Sequence, residues 1–107
     1  MNLLNIFKRL PSLSPAEVRE YIKRKQPGEY CLVDVRTPAE FEQSHLPGAL
    51  LIPLSNLGMR MEQLNDDKPL ILYCRSGNRS RLAARLLLAA GFKNVFNMDG
   101  GLLNYKS

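Results

Sequence analysis

The sequence predicts an α/β fold: an open, largely parallel sheet with helices on both faces. Three observations carry that reading. Short apolar runs rich in strand-forming residues alternate with helical patterns along the chain. No two of these runs are joined by a tight hairpin, so crossovers must link them, as parallel strands require. One run, Pro69 to Tyr73, is wholly apolar, as expected of a central strand covered on both faces.

The elements follow in order. Ser14 reads as an N-cap, Pro15 as the first helical residue and Glu17 as the partner of a capping box. Val18, Tyr21 and Ile22 then give this helix one apolar face, and Pro27-Gly28 ends it. Tyr30 to Val35 reads as a buried strand. Thr37-Pro38 caps a second helix to about Ser44, with Phe41 turned inward. His45 to Ala49 is a turn, and Leu50 to Pro53 a very short strand. Ser55 is expected to cap a helix carrying Leu57, Met61 and Leu64. After the central strand, Cys74 to Asn78 is a loop. A helix from about Arg79 to Ala90 carries Leu82, Leu86 and Ala89 on one stripe, with Leu87 and Leu88 alongside and Gly91 as its C′ residue. Asn94 to Met98 is the last strand, followed by the Asp99-Gly100-Gly101 turn and a short closing helix.

A chain of 107 residues suits one domain, expected over 12–107 behind an N-terminal arm, 1–11. Apolar residues at 45% and charged residues at 23% exclude a disordered chain. The longest nearly apolar run, Leu86 to Gly91, is far short of the roughly 18 residues a membrane helix needs. Leu3, Leu4, Ile6, Phe7 and Leu10 suggest a short helical arm docked on the domain. The arm lacks the charged start and the apolar core of about 7–15 residues that mark a secretory signal. Two cysteines, Cys31 and Cys74, are too few for a disulfide framework, so a reducing, cytoplasmic setting is the default expectation. One histidine and no paired cysteines leave no metal-ligand set, and no cofactor is implied.

The net charge of +5 favours anionic partners. Arg75, Arg79, Arg81 and Arg85 fall within eleven residues that contain no acid. Lys23, Arg24 and Lys25 close a helix, where cations suit the dipole. Nothing interleaves aromatics with these charges or resembles a nucleic-acid module, which excludes that partner class. Cys31, at a strand start, is read as a buried structural thiol rather than a resolving cysteine. His45 is read as a hydrogen-bonded turn residue, and Met59, Met61 and Met98 as core filler.

Chemistry concentrates in Cys74-Arg75-Ser76-Gly77-Asn78-Arg79-Ser80, which joins the central strand to a helix. Open α/β sheets place ligands where a parallel strand's C-terminal end feeds a helix. Backbone N–H groups can converge there, and the helix adds unpaired donors and its positive end. Gly77 permits the turn. Arg79 adds a forked, permanent charge. Cys74 begins this cradle, so its thiolate should be favoured. Ser76 and Ser80 can donate further hydrogen bonds. Asp34 and Arg36 share one face by period two and are read as supporting residues, with Arg36 pairing either Asp34 or Glu40.

These segments together resemble the rhodanese domain. The resemblance rests on Leu32-Val33-Asp34-Val35-Arg36, Pro38-Ala39-Glu40-Phe41, His45-Leu46-Pro47-Gly48-Ala49, Tyr73 to Ser80, Gly91-Phe92 and Asp99-Gly100-Gly101, in that order. It covers nearly everything from Ser12 to Tyr105. It implies a five-stranded sheet and sulfurtransferase activity through a persulfide on Cys74, in a single-domain form. The C-x4-R spacing of Cys74 and Arg79 departs from the C-x5-R of cysteine phosphatases and suits a single sulfur atom. The implied reaction is ping-pong, from thiosulfate or a similar small anionic donor to cyanide or a thiol, including a thioredoxin-like acceptor. Arg75 and Arg79 are expected to draw in the dianionic donor. A sulfur-carrying or protein-docking module without rapid turnover is the other reading. Leu102-Leu103 stands where many relatives carry tryptophan.

Overall fold

A computed structural model describes residues 10–105 of the chain. Five strands form one all-parallel sheet: β1 (Ser12–Leu13), β2 (Cys31–Asp34), β3 (Leu50–Leu51), β4 (Leu70–Tyr73) and β5 (Val95–Met98). Their spatial order is β1-β5-β4-β2-β3. β4 is central and buried along its whole length. The edge strand β1 was not legible as a strand in the residues, because two residues carry no periodicity. Residues 1–9 of the expected arm lie outside the described residues; Leu10 is buried in the core.

The helices α1 (Pro15–Arg24), α2 (Pro38–Gln43), α3 (Leu57–Arg60) and α4 (Asn78–Ala89) complete the described layers. The expected capping box forms at α1, and a second, not anticipated in the sequence, forms at α2. Ser14 Oγ accepts from the Glu17 amide and Thr37 Oγ1 from the Glu40 amide, while each glutamate returns a bond to its cap's N–H. Ser55, by contrast, caps nothing. Leu54 to Gln63 is a single α-turn between two 3-10 segments, with no side-chain cap at either entry. Asn56 and Gly58 within it are poor helix formers.

Side chains alternate across the sheet and build two cores. One holds Val33, Val35, Leu70, Leu72, Cys74 and Val95 beneath α3 and α4. The other holds Leu32, Ile71, Tyr73 and Met98 beneath α1. Met98 and Met61 belong to these cores, but Met59 is 84% exposed and fills no gap. Phe41 is only half-buried and stacks on His45, centroids 3.6 Å apart, instead of entering the core. His45 Nδ1 also lies 2.8 Å from the Phe41 carbonyl, fixing the turn. Among the described residues, no helix is long and apolar enough to cross a membrane.

α4 is rotated away from the face its leucines suggest. Its buried residues are Ser80, Ala83, Ala84 and Leu87, whereas Leu82 and Leu86 are exposed. Ser80 is pinned by its bonds to the preceding loop, and the two alanines let the helix lie close to the sheet. Leu87→Ala should therefore cost about 2–5 kcal/mol of stability, and Leu82→Ala less than about 0.5 kcal/mol. Urea denaturation of the two variants measures the difference.

Candidate active site

The sheet reverses its winding between β2 and β4: β2 leads outward to β3, and β4 leads the other way to β5. The C-terminal ends of these two neighbours open a crevice, the usual ligand position in such sheets. The loop from β4 into α4 and the loop from β2 into α2 form its two sides.

Cys74 sits at the end of β4 and is almost fully buried. Its Sγ nonetheless faces donors: the Gly77 amide at 3.1 Å, the Ser80 amide at 3.4 Å and Ser80 Oγ at 3.4 Å. Burial pushes the thiol's pKa up. The hydrogen bonds from Ser80, Gly77 and the Ser76 backbone outweigh it and hold the pKa below its ordinary value. Cys31 has no such donors, and burial raises its pKa.

Two glycines make this geometry attainable. Gly77 caps α4 at φ 102°, a left-handed conformation that turns its N–H toward the sulfur. Gly101, at φ 60°, lies directly against the loop: a Cβ there would collide with the Arg75 and Cys74 carbonyls. Those same carbonyls accept from the Leu103 and Leu102 amides, each at 3.0 Å. With its carbonyls bound outward, the loop presents its N–H groups inward.

The charged residues are arranged differently from expectation. Arg79 does not offer a free fork to an anion. Its two terminal nitrogens clasp Glu40 at 2.7 and 2.9 Å. This pair joins the first turn of α4 to the first turn of α2. Arg79 and Thr37 hold the Glu40 carboxyl down at about 2. Arg36 pairs with Asp34 and not with Glu40, using Nε and Nη2, and also donates to the Ser44 carbonyl at 2.6 Å. Both members are buried. Asp34 alternates with Val33 and Val35, so it leaves β2 on the face opposite Cys74. Asp34 braces Arg36, and of the two only Arg36 reaches the mouth. There Arg36, Glu40, Arg75, Leu102 and Leu103 line a cleft of about 440 Å³. Arg75, Ser76 and Asn78 form the exposed rim of the loop.

Sequence reasoning missed two residues. Glu40 enters the sequence reading only as an alternative partner of Arg36, and nothing near it signals a bond to a residue 39 positions away. Gly101 read as an ordinary turn residue.

A buried thiol met by two backbone amides and a hydroxyl thus stands at the switch point of a parallel sheet, where open α/β folds bind ligands. Residues 14–107 match the family model of the Rhodanese-like domain, and the chain belongs to that family. It is 42% identical over 72 residues to a sulfurtransferase of Allochromatium vinosum, covering 67% of each chain. It is 38% identical over 74 residues to a putative sulfur carrier protein of Bacillus subtilis, covering 69% of this chain and 40% of that one. Among solved structures, a rhodanese-related protein of Thermoplasma volcanium superposes with a TM-score of 0.79 at 30% identity, covering 89% of both chains. The chain spans only 16% of the Bacillus anthracis CoADR-RHD chain, which it matches at 35% identity and a TM-score of 0.79 over 90% of its own length.

Alkylation by iodoacetamide should show a midpoint for Cys74 below the roughly 8.5 of a free thiol. Ser80→Ala removes one donor and should move that midpoint upward. Gly101→Ala, which displaces the loop, should do the same. Peptide mapping across pH separates Cys74 from Cys31.

Proposed function

We propose that the protein is a sulfurtransferase that carries a sulfane sulfur on Cys74. The observation that supports this most directly is the convergence of two amides and a hydroxyl on Sγ. A cysteine held as thiolate is a ready nucleophile toward divalent sulfur.

In the first half-reaction, the Cys74 thiolate bonds to the outer sulfur of thiosulfate or a similar donor. The donor's S–S bond breaks, and sulfite leaves with that electron pair. In the second, an acceptor such as cyanide or a thiol attacks the outer sulfur, and Cys74 regains its thiolate. Total charge is conserved in each step, and no oxidant is consumed.

The outer sulfur stands one bond, about 2.05 Å, beyond Sγ toward the rim. There it meets the first turn of α4, whose initial N–H groups have no partner within the helix. These donors are fixed before the reaction, so they stabilise the moving negative charge without reorganising. Arg75, exposed at the mouth, steers the anion inward. Ser76, Gly77, Asn78 and Ser80 supply the cradle. Arg79, with Asp34 and Arg36, positions it. The setting that suits this chemistry is a reducing one such as the cytoplasm, where the thiol is not consumed by disulfide formation.

Cys74→Ser should abolish sulfur transfer while leaving the fold intact. Mass spectrometry of the wild-type protein after thiosulfate treatment should show the addition of one sulfur atom, absent in the variant. Steady-state assays with cyanide should give many turnovers per Cys74, where a carrier would stop at one equivalent. Undiminished transfer by Cys74→Ser would overturn the assignment.

A further inference from the structure

Three arginines approach the mouth of the cradle, but two arrive with their own carboxylates. Arg36 is neutralised by Asp34 and Arg79 by Glu40. Arg75 makes no ion pair among the described residues. The mouth therefore carries about one net positive charge, where the sequence suggested at least two. Beside it, Leu102 and the largely exposed Leu103 add an apolar wall to the cleft. One charge beside an apolar wall matches a singly charged donor with an organic tail better than a compact dianion.

We propose that Glu40 sets the charge of the donor: seated on Arg79, it lowers the cradle's preference for dianions and admits singly charged persulfides, RSS⁻. This rests on the Cys74 persulfide reading and narrows its substrate class. The step balances as written. The Cys74 thiolate bonds to the outer sulfur of RSS⁻, the donor S–S bond breaks, and RS⁻ leaves with the electron pair. The product is Cys74–S–S⁻, with two negative charges before and after.

The geometry makes Glu40 a positioning residue with an electrostatic consequence. Its carboxylate contacts Arg79 and not the reacting sulfur. Arg79 lies close enough to Cys74 for the two charges to interact. Glu40 stays ionised until the pH falls toward about 2, so its influence is constant over the whole working range of a thiolate enzyme. Glutamine at this position keeps the capping box, because Gln serves as well as Glu there. Glu40→Gln thus removes the charge and keeps the α2 cap.

The test is steady-state kinetics with two donors, thiosulfate and 2-hydroxyethyl persulfide, on wild type, Glu40→Gln and Glu40→Asp. Coulomb energy scales with donor charge, so a fold-change for the dianion should be the square of that for the monoanion. In Glu40→Gln, KM for thiosulfate should fall about four-fold and KM for the persulfide about two-fold, with kcat held. Glu40→Asp, which keeps the charge, should stay within about two-fold of wild type for both donors. Equal shifts for the two donors, or a loss of kcat with KM unchanged, would reduce Glu40 to a structural tether and overturn the proposal. If neither donor loads sulfur onto wild-type Cys74, the persulfide reading falls as well.

Discussion

Burial and hydrogen bonding pull the Cys74 thiol in opposite directions, and the architecture of the molecule turns on which prevails. A cysteine at the end of a central, fully covered strand should be an inert neutral thiol. Here the Gly77 and Ser80 donors reverse that outcome. They are available because the short loop 74–77 leads straight from β4 into α4. Gly77 is at once the helix cap and a ligand of the sulfur. The rotation of α4 follows from the same requirement, since Ser80 must face the strand end even at the cost of exposing Leu82 and Leu86. The energetic loss is small, because Ala83, Ala84 and Leu87 still seal the sheet.

The loop is held from behind by the turn after β5. The Leu102 and Leu103 amides bind the Cys74 and Arg75 carbonyls, and Gly101 leaves room for that contact. A peptide group has two ends, so fixing the oxygens outward fixes the hydrogens inward. From the side, Glu40 ties α2 to α4 across the crevice. Arg79 stands in the first turn of a helix, where a cation opposes the dipole. Glu40 offsets that opposition. The buried Asp34–Arg36 pair plays the corresponding part for the β2 loop. Buried ion pairs of this kind add little net stability, because desolvation consumes most of the attraction. Their contribution is geometric: Arg36 is locked to the Ser44 carbonyl and so fixes the end of α2.

Much of this was legible in the chain. The alternation of elements, the capping box at Ser14 and the apolar run at β4 are local signals, and each corresponds to an observed element. Cys74, Gly77 and Ser80 were legible as a site because a strand, a glycine and a helix start stand in direct succession. What was not legible depends on contacts distant in sequence. Glu40 satisfies a local motif completely, so nothing in its neighbourhood announces the bond to Arg79. Leu82 and Leu86 formed the stronger apolar stripe on composition alone, yet an anchoring serine decides the face. Ser55 looked like a cap, but no regular helix follows it. β1 is too short to show a pattern, and only its pairing with β5 makes it a strand.

Pairing the arginines with carboxylates also changes where anion affinity must come from. With Arg36 and Arg79 neutralised, the main positive features facing Sγ are backbone amides and the end of α4. Side-chain cations are mobile and lose strength as salt rises. Amides fixed in a buried loop do neither. In the proposed function they also suit a sulfur atom that arrives and departs without its own counter-ion, because each transfer only exchanges one sulfur-centred anion for another. In the proposed reaction, a cradle dominated by free arginines would hold the departing sulfite or thiolate as tightly as the donor. A cradle dominated by short amides releases the larger product and retains the small charged sulfur.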